Sequence, residues 1–423
     1  MKKVGVAVLG LGVVGGGTCK ILIDRKKQIA EEYGVDIEIA AVLDRVPDRV
    51  TGLGLELSIL AKDIDEICDN PNVDIVVECM GGTEPARTFL VKALEAGKSI
   101  VTSNKEMFAK FWPELEKAAQ KTGAGLYYEA TTGGGMPIIR MMTQAMQANG
   151  IQEIKTIING TTNYILTRMT EEGADYQTVL KDAQALGYAE ANPVADVEGY
   201  DSSYKLSILS SLAFNKRVPV ELIYREGITK ITAEDIKIAK DMGYVIKLLA
   251  IAKQKGGKIE ARVHPVFLPK SHPLASVNGS FNAVFVVGDA VGDVMIYGRG
   301  AGALPTGSAI VSDVVFCARQ VEHARYSEIF DVMPQNQVIT DFESEYYVRL
   351  NARDVSGVVA DIAAVFKKNK VSISQMRQDE NKEIVPIVFI THKTNEKAMK
   401  KAIDEISALK NVLSVENVIR VER

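Results

Sequence analysis

The segment that most restricts the fold of this chain is its first fifteen residues. Residues 4–9, VGVAVL, form a short apolar run rich in β-branched side chains, and Gly10-Leu11-Gly12-Val13-Val14-Gly15 follows at once. Such a run reads as a buried strand, and the apolar periodicity that continues to about residue 32 reads as a helix. A GxGxxG turn between a strand and a helix has a mechanical meaning. Gly10 permits a tight turn, Gly12 lets a pyrophosphate approach the backbone, and Gly15 lets the helix lie close to the strand. The helix N-terminus then faces the phosphates with its free N–H groups. On its own the motif is weak, because a plain structural turn uses the same residues.

The residues downstream give the turn its context. A second apolar strand spans 37–43 and ends at Asp44, where a ribose hydroxyl is expected. Strand patterns recur at 74–80, 99–103 and 126–131, with helical patterns at 84–96 and 105–121 between them. This alternation implies an α/β fold, a doubly wound parallel sheet of the Rossmann type over residues 1–130, completed by a helix near 307–325. A nicotinamide dinucleotide follows as cofactor, NAD or NADP. Asp44 suits the 2′-hydroxyl of NAD, whereas Arg45 and Arg49 suit the 2′-phosphate of NADP, and the two signals conflict. Ligands in such sheets lie beyond the carboxyl ends of the strands, where loops 81–84 and 102–105 fall. Asn104 reads as a helix N-cap and Lys105 as a lysine facing the nicotinamide end, although an isolated lysine is more often a surface residue.

Composition bounds the rest. A chain of 423 residues divides into two or three domains, and 25% charged with 47% hydrophobic residues is the balance of a soluble globular protein. The net charge of −4 gives no basic excess, which argues against nucleic-acid or membrane-surface partners. Cys19, Cys68, Cys79 and Cys317 lie far apart without CxxC spacing, as expected of a cytoplasmic chain with neither a disulfide framework nor a zinc site. The Lys2-Lys3 start before an apolar run imitates a signal peptide, but the glycine spacing has the better explanation above. No stretch reaches the ~18 apolar residues of a membrane span.

The middle of the chain, 131–330, mixes strand and helix patterns and reads as a second, α+β domain. It opens on a second glycine-rich turn, Glu129-Ala-Thr-Thr132-Gly-Gly134-Gly-Met136-Pro137. That turn is either a hinge or a loop whose carbonyls, with Glu129, hold a monovalent cation or the substrate. A strand at 153–158 leads into Asn159-Gly160-Thr161-Thr162-Asn163, a polar cluster that serves as a turn or as contacts to a small polar ligand. Helical patterns follow at 164–172, 176–186, 206–214 and 233–252, and β-like runs at 258–267 and 283–297. A third glycine-rich turn, 298–308, contains Gly302 and precedes an apolar helix at 309–319. Residues 187–208 place Glu190, Asp196, Glu198 and Asp201 near a single lysine, Lys205. Asp201 and Lys205 stand four apart, on one face of a helix. A lysine held by carboxylates in a shielded site can donate a proton; the bland alternative is a solvated ion pair at a helix start. His264, His272 and His323 have no metal-ligand spacing, and neither GxSxG nor HExxH occurs. Residues 331–344 read as a polar linker, and 346–423 as βαββαβ, a ferredoxin-like unit.

Six blocks, GLGVVG, VTSNKE, YYEATTGGGMPI, NGTTNYIL, GYAEANPVADVEGYDSSYKLSIL and YGRGAGALPTGSAIVSD, occur in the order found in homoserine dehydrogenases of the monofunctional type. The chain resembles that family over essentially its whole length, and ARDVSG at the start of the βαββαβ unit resembles an ACT domain. The resemblance implies NAD(P)-dependent interconversion of L-homoserine and L-aspartate 4-semialdehyde in threonine and methionine biosynthesis. Lys205 falls on the family's proton donor and Lys105 on its second lysine, beside cofactor and substrate. Glu190 matches the carboxylate that receives the substrate's ammonium, Asp196 and Asp201 match acidic residues lining that pocket, and Thr161 a substrate-contacting threonine. Glu129, with Thr132, Gly134 and Met136, corresponds to a sodium site, and Gly302 to a loop closing over the cofactor. The resemblance further implies a homodimer or homotetramer, and an amino-acid effector, threonine, held by Asn351, Asp354 and Gly357 in the first turn of the ACT unit.

Overall fold

A computed structural model describes residues 2–319, 331–378 and 383–423; His323 and the end of the helix expected near 307–325 lie outside them. Strands β1 (Lys2–Leu9), β2 (Val35–Leu43), β3 (Ile75–Glu78), β4 (Ser99–Thr102) and β5 (Leu126–Tyr127) pair in parallel in the order β2-β1-β3-β4-β5. Val6, Ala7, Val8 and Leu9 are fully buried, so β1 carries a continuous apolar run instead of alternating. Val6 and Val8 face α1 (Val13–Asp24), while Ala7 and Leu9 join the core under α2 (Ala86–Glu95) and α3 (Lys105–Thr122). The strand order reverses beside β1, and that switch point is where an open α/β sheet takes its ligand.

Two boundaries differ from the sequence pattern. The helix expected to run to residue 32 breaks at Arg25 (φ −108°, ψ 9°) and resumes as Lys26–Tyr33. The strand expected over 126–131 stops at Tyr127, because the Glu129 N–H donates to Asp313 Oδ2 (2.9 Å) and residues Glu129–Thr131 form a 3₁₀ turn.

A second layer is an antiparallel sheet of β6 (Ile151–Ile157), β7 (Tyr244–Lys255), β8 (Lys258–Pro269), β9 (Phe281–Gly288) and β10 (Gly292–Arg299), in the order β10-β9-β6-β7-β8. Helices α4 (Gly160–Glu172), α6 (Tyr200–Phe214) and α7 (Ala233–Asp241) pack on it, with α5 (Tyr176–Ala185) against α4. The helical reading of 233–252 is corrected here: the helix ends at Asp241, Gly243 takes φ +83°, and VIKLLAIAK becomes β7. Residues 246–252 are buried on both faces of the sheet, so they carry no strand alternation to read. Helix α8 (Ala303–Arg319) crosses back to lie on α1, so closely that a Cβ on Gly17 would stand 2.5 Å from the Ala303 carbonyl oxygen.

The C-terminal unit is β11 (Glu343–Arg353), α9 (Val358–Lys368), β12 (Ile373–Gln378), β13 (Ile384–Thr391), α10 (Glu396–Ser407) and β14 (Val412–Val421). Its strand order, β14-β11-β13-β12, is antiparallel and ferredoxin-like. β14 also pairs in parallel with β8, Arg420 against Val266 and Val421 against Phe267, so the two units share one continuous sheet, twelve-stranded among the described residues when its short side strands are included. The segment 331–344 is less a free linker than its polarity suggested. Met333, Val338 and Phe342 are buried, and Val338–Ile339 pairs with β8. No helix among the described residues is long and apolar enough to cross a membrane.

A buried polar junction fastens this unit to α7. Asp235, fully buried, accepts from Arg349 Nε (2.8 Å), Tyr347 Oη (2.9 Å) and Asn417 Nδ2 (2.9 Å), and closes a capping box with Thr232. Burial alone would raise the Asp235 carboxyl, but the bonds from Arg349 and Asn417 outweigh it and hold the group low. Removing the cation should leave an uncompensated buried charge. Arg349→Met is therefore expected to destabilise the chain by about 3–5 kcal/mol in urea unfolding, with part of the loss recovered in Arg349→Met/Asp235→Leu.

Candidate active site

The carboxyl edge of the parallel sheet is built by residues whose bonds run between neighbouring loops. Gly10 takes φ +85° and its N–H donates to the Leu43 carbonyl (2.8 Å), which turns the chain over β2. A Cβ on Gly15 would lie 1.9 Å from the Gly10 carbonyl oxygen, whereas one on Gly12 would meet nothing within 4 Å. Gly15 therefore answers to packing, and Gly12 leaves open space above the N-terminus of α1. Val13 is largely exposed there, and Val14 lines the cleft beyond.

Asp44 closes β2 by accepting from the Leu11 and Val46 N–H groups (2.5 and 2.8 Å), with Arg49 3.4 Å away. Burial works against its charge, but those two backbone bonds and Arg49 win, and the carboxyl is held below its usual range. Arg45, next in the chain, is exposed. Glu78, fully buried at the end of β3, was not singled out from the sequence. Its oxygens accept from the Met80 and Gly81 N–H groups (2.8 and 3.2 Å) and from Thr102 Oγ1 (2.6 Å). Thr102 Oγ1 in turn accepts from the Asn104 N–H, and Asn104 Nδ2 donates to the Gly82 carbonyl (2.6 Å). Asn104 caps α3 as expected, through the Met107 N–H (3.1 Å). The signal was the acid that ends an otherwise apolar strand, IVVE.

A cleft of about 680 Å³ lies between this edge and the second layer. Lys105, Thr132, Gly134, Thr161, Asp196, Asp201, Lys205 and Gly302 all line it, so residues far apart in sequence share one space. Its floor is an ion network. Asp201 Oδ2 accepts from Lys205 Nζ (2.7 Å) and Asn159 Nδ2 (2.9 Å), and Asp201 Oδ1 lies 3.3 Å from Lys105 Nζ. Lys205 Nζ also donates to the Ile158 carbonyl (2.8 Å). Asn159 Nδ2 donates a second bond, to Asp196 Oδ1 (2.7 Å), and Thr161 Oγ1 donates to the Tyr188 carbonyl (2.7 Å). Burial would raise the Asp201 carboxyl, but Lys205 and then Lys105 overcome it and hold the group far below the usual carboxylate range. Lys105 is raised in return, chiefly by Asp201. Asp196 is raised, by burial and by the charge of Asp201.

Glu190 stands apart from this group. It is exposed and does not line the cleft, although its charge reaches Lys105. Glu129 is buried beneath the cleft, its oxygens accepting from the Ile139 and Arg140 N–H groups (2.8 and 2.9 Å). Burial and then the neighbouring Asp313 push Glu129 up to about 7. Thr132 Oγ1 is buried with no hydrogen-bond partner among the described residues. Met136 is buried in the same turn, its N–H on the Gly133 carbonyl (3.0 Å). Asn351, Asp354 and Gly357 lie far along the chain in the C-terminal unit. Asn351 Nδ2 donates to Glu416 (2.9 Å), the Asp354 N–H to the Glu383 carbonyl (3.1 Å), and Gly357 (φ +93°) starts α9. No group of three or more His, Cys, Asp or Glu among the described residues could hold a metal ion.

A dinucleotide turn at the switch point of a parallel sheet, facing two lysines on one buried carboxylate, defines a nicotinamide-dependent oxidoreductase. Known proteins sharpen the class. The family model for the homoserine dehydrogenase NAD binding domain matches residues 10–129, that for homoserine dehydrogenase residues 137–315, and that for the ACT domain residues 346–411. The homoserine dehydrogenase of Mycobacterium tuberculosis is 42% identical over 100% of this chain and 98% of its own length. The crystal structure of a homoserine dehydrogenase from Thiobacillus denitrificans superposes with a TM-score of 0.92 at 40% identity, covering 100% of this chain and 99% of that one. A hyperthermophilic archaeal homoserine dehydrogenase in complex with NADPH gives a TM-score of 0.65 at 25% identity, over 76% of this chain and all of that one. The chain belongs to the homoserine dehydrogenase family, NAD(P)-dependent oxidoreductases that interconvert L-homoserine and L-aspartate 4-semialdehyde, and it carries an ACT domain.

The two glycines should separate fold from cofactor. Gly12→Ala is expected to melt near the wild-type temperature yet weaken NADPH binding by at least about tenfold, whereas Gly15→Ala should lose both stability and binding. Thermal melting and a fluorescence titration with NADPH check this.

Proposed function

We propose that Lys205 is the proton donor of the reaction and that Asp201 holds it in place. The observation that carries this reading is the bridge of one buried carboxylate between Lys205 and Lys105 on the floor of the cleft. Two of the three N–H bonds of Lys205 are committed, to Asp201 and to the Ile158 carbonyl, which leaves one for a ligand in the cleft it lines. A nicotinamide dinucleotide supplies or accepts the hydride when bound. The open space at Gly12, the left-handed turn at Gly10 and Val14 at the cleft fit its pyrophosphate and nicotinamide ends. Toward homoserine, Lys205 gives its proton to the oxygen that gains negative charge, and its own positive charge stabilises that oxygen as it forms. Toward the aldehyde the same amine takes the proton back. Lys105, on the opposite oxygen of Asp201, adds positive charge on the cofactor side. Asp196 and Thr161, which line the cleft, suit the ammonium of an amino-acid substrate, and Glu190, exposed outside the cleft, is assigned to the same ammonium.

At the end of β2, NAD and NADP remain separate assignments. Asp44 is committed to the turn through Leu11, and Arg45 is the exposed cation beside it. Around Glu129 we assign a sodium ion to the carboxylate with the oxygens of Thr132, Gly134 and Met136. An all-oxygen donor set, a buried carboxylate lacking sufficient counter-charge and the orphaned Thr132 hydroxyl all suit a hard monovalent cation, which would neutralise the site and stiffen the turn. The division into residues 1–130 with α8, a substrate and dimerisation domain to 330, and an ACT domain at 346–423 belongs to the same reading. So do a homodimer or homotetramer, a reducing cytoplasmic setting suited to four free thiols, and threonine as effector at Asn351, Asp354 and Gly357.

Lys205→Ala should reduce kcat for homoserine oxidation by about 10²-fold while leaving NADPH affinity within about twofold. Near-normal turnover by that variant would sink the assignment. In wild-type enzyme, sodium chloride should raise the melting temperature above that in choline chloride at equal ionic strength, a difference lost in Glu129→Gln. Threonine added to the same samples should change the rate or the sedimentation behaviour; no response in either removes it as effector.

A further inference from the structure

We infer that Asn159 is a positioning residue of the reaction: its side-chain nitrogen clamps the carboxylates of Asp196 and Asp201 side by side, and so fixes the group that anchors both lysines. This goes beyond the assignment of Lys205 and rests on it. Asn159 lies between β6 and α4, 5% exposed, and all four of its side-chain hydrogen bonds are made. Nδ2 donates to Asp196 Oδ1 (2.7 Å) and to Asp201 Oδ2 (2.9 Å), while Oδ1 accepts from the Thr162 N–H (2.9 Å) and from Thr162 Oγ1 (2.9 Å). The residue before it, Ile158, gives its carbonyl to Lys205. One strand end thus touches Asp196 beside α6 and both Asp201 and Lys205 on it.

The chemistry explains why an amide is needed. Two carboxylates on adjacent turns repel, and Lys205 and Lys105 are both engaged with Asp201. No lysine among the described residues stands at bonding distance from Asp196, and the amide, with Thr161 beside it, ties that carboxylate to the cluster. A nitrogen with two protons satisfies one oxygen of each carboxylate, and the carbonyl oxygen on the same side chain caps α4. The charged groups that act on these carboxylates are Lys205 on α6 and Lys105 at the start of α3, while Glu190, in the loop before Asp196, acts on Lys105. Glu106 and Arg299 line the same cleft. Without the clamp, Asp201 would share its space with an unrestrained like charge, and Lys205 would keep the Ile158 carbonyl but lose a fixed position for its carboxylate partner.

Asn159→Asp separates the two roles, because aspartate still accepts from Thr162 and remains a good N-cap but donates nothing to its neighbours. It also adds a third carboxylate to the cluster. The expected result is a folded protein whose melting temperature falls as pH rises and the added carboxylate ionises, with a fall in kcat/KM for homoserine of about 10²-fold carried mainly by kcat and an acid limb of the pH profile displaced upward. The sign follows from the lost donors and the added negative charge, both of which favour protonation of Asp196 and Asp201. Asn159→Ser, which keeps a capping oxygen and has one donor, should fall between the two and replaces Asn159→Asp if that variant does not fold. Wild-type kcat/KM and an unmoved acid limb in the folded variant, alongside an impaired Lys205→Ala, would reduce Asn159 to a helix cap and overturn the inference. Near-normal Lys205→Ala would instead overturn the assignment of the proton donor, whatever Asn159→Asp does.

Discussion

The site depends on one carboxylate. Asp201 is buried, and a buried carboxylate is costly unless its oxygens are filled. Here Lys205, Asn159 and Lys105 fill them, from α6 itself, from the end of β6 and from the start of α3. α6 and β6 belong to the antiparallel layer and α3 to the parallel one, so the two sheets must be docked before the charge is satisfied. The requirement runs both ways. The cleft exists because the two layers meet, and the meeting surface tolerates two lysines because Asp201 lies between them.

The same device recurs wherever two layers join. Asp235 gathers Arg349, Tyr347 and Asn417 between α7 and the ACT sheet, and Asp313 takes the Glu129 N–H between α8 and the turn that leaves β5. Glu78 ties the loops after β3 and β4 in the same way. Apolar packing builds each layer, but directional bonds to a buried acid set how neighbouring segments are registered. The ACT unit is joined still more closely, since β14 pairs with β8 and extends the catalytic sheet. Segment 226–231 runs from that sheet to the active site: the Lys230 carbonyl accepts from Asn417, and the Ile228 N–H reaches the Val197 carbonyl, one residue from Asp196.

Much of this was legible in the residues. The glycine turn before α1, the parallel sheet, the Asn104 cap and the βαββαβ unit follow from local chemistry, because turn residues, caps and apolar periodicity act over a few positions. The i,i+4 pair of Asp201 and Lys205 was legible for the same reason. Less local features were not. VIKLLAIAK reads as a helix or a strand until its neighbours are known, since it is buried on both sides. The 331–344 segment looked like a linker because its few apolar residues are scattered among polar ones, and only tertiary neighbours, β8 for Val338 and the segment around Arg217 for Met333, give them a place to bury.

The sequence by itself determined the class of cofactor, the alternation of elements in the dinucleotide domain and the family, because these rest on motifs that are contiguous in the chain. Tertiary structure decided which acid serves which lysine. Spacing alone pairs Asp201 with Lys205 along 187–208, but only the fold brings Lys105 to the other oxygen of Asp201 and leaves Glu190 exposed outside the cleft. It also gave Asn159 its work, for an amide before a helix reads as a cap until two carboxylates 37 and 42 positions away are brought to its nitrogen. Distance along the chain carries no information about such contacts; the docking of the two sheets creates them.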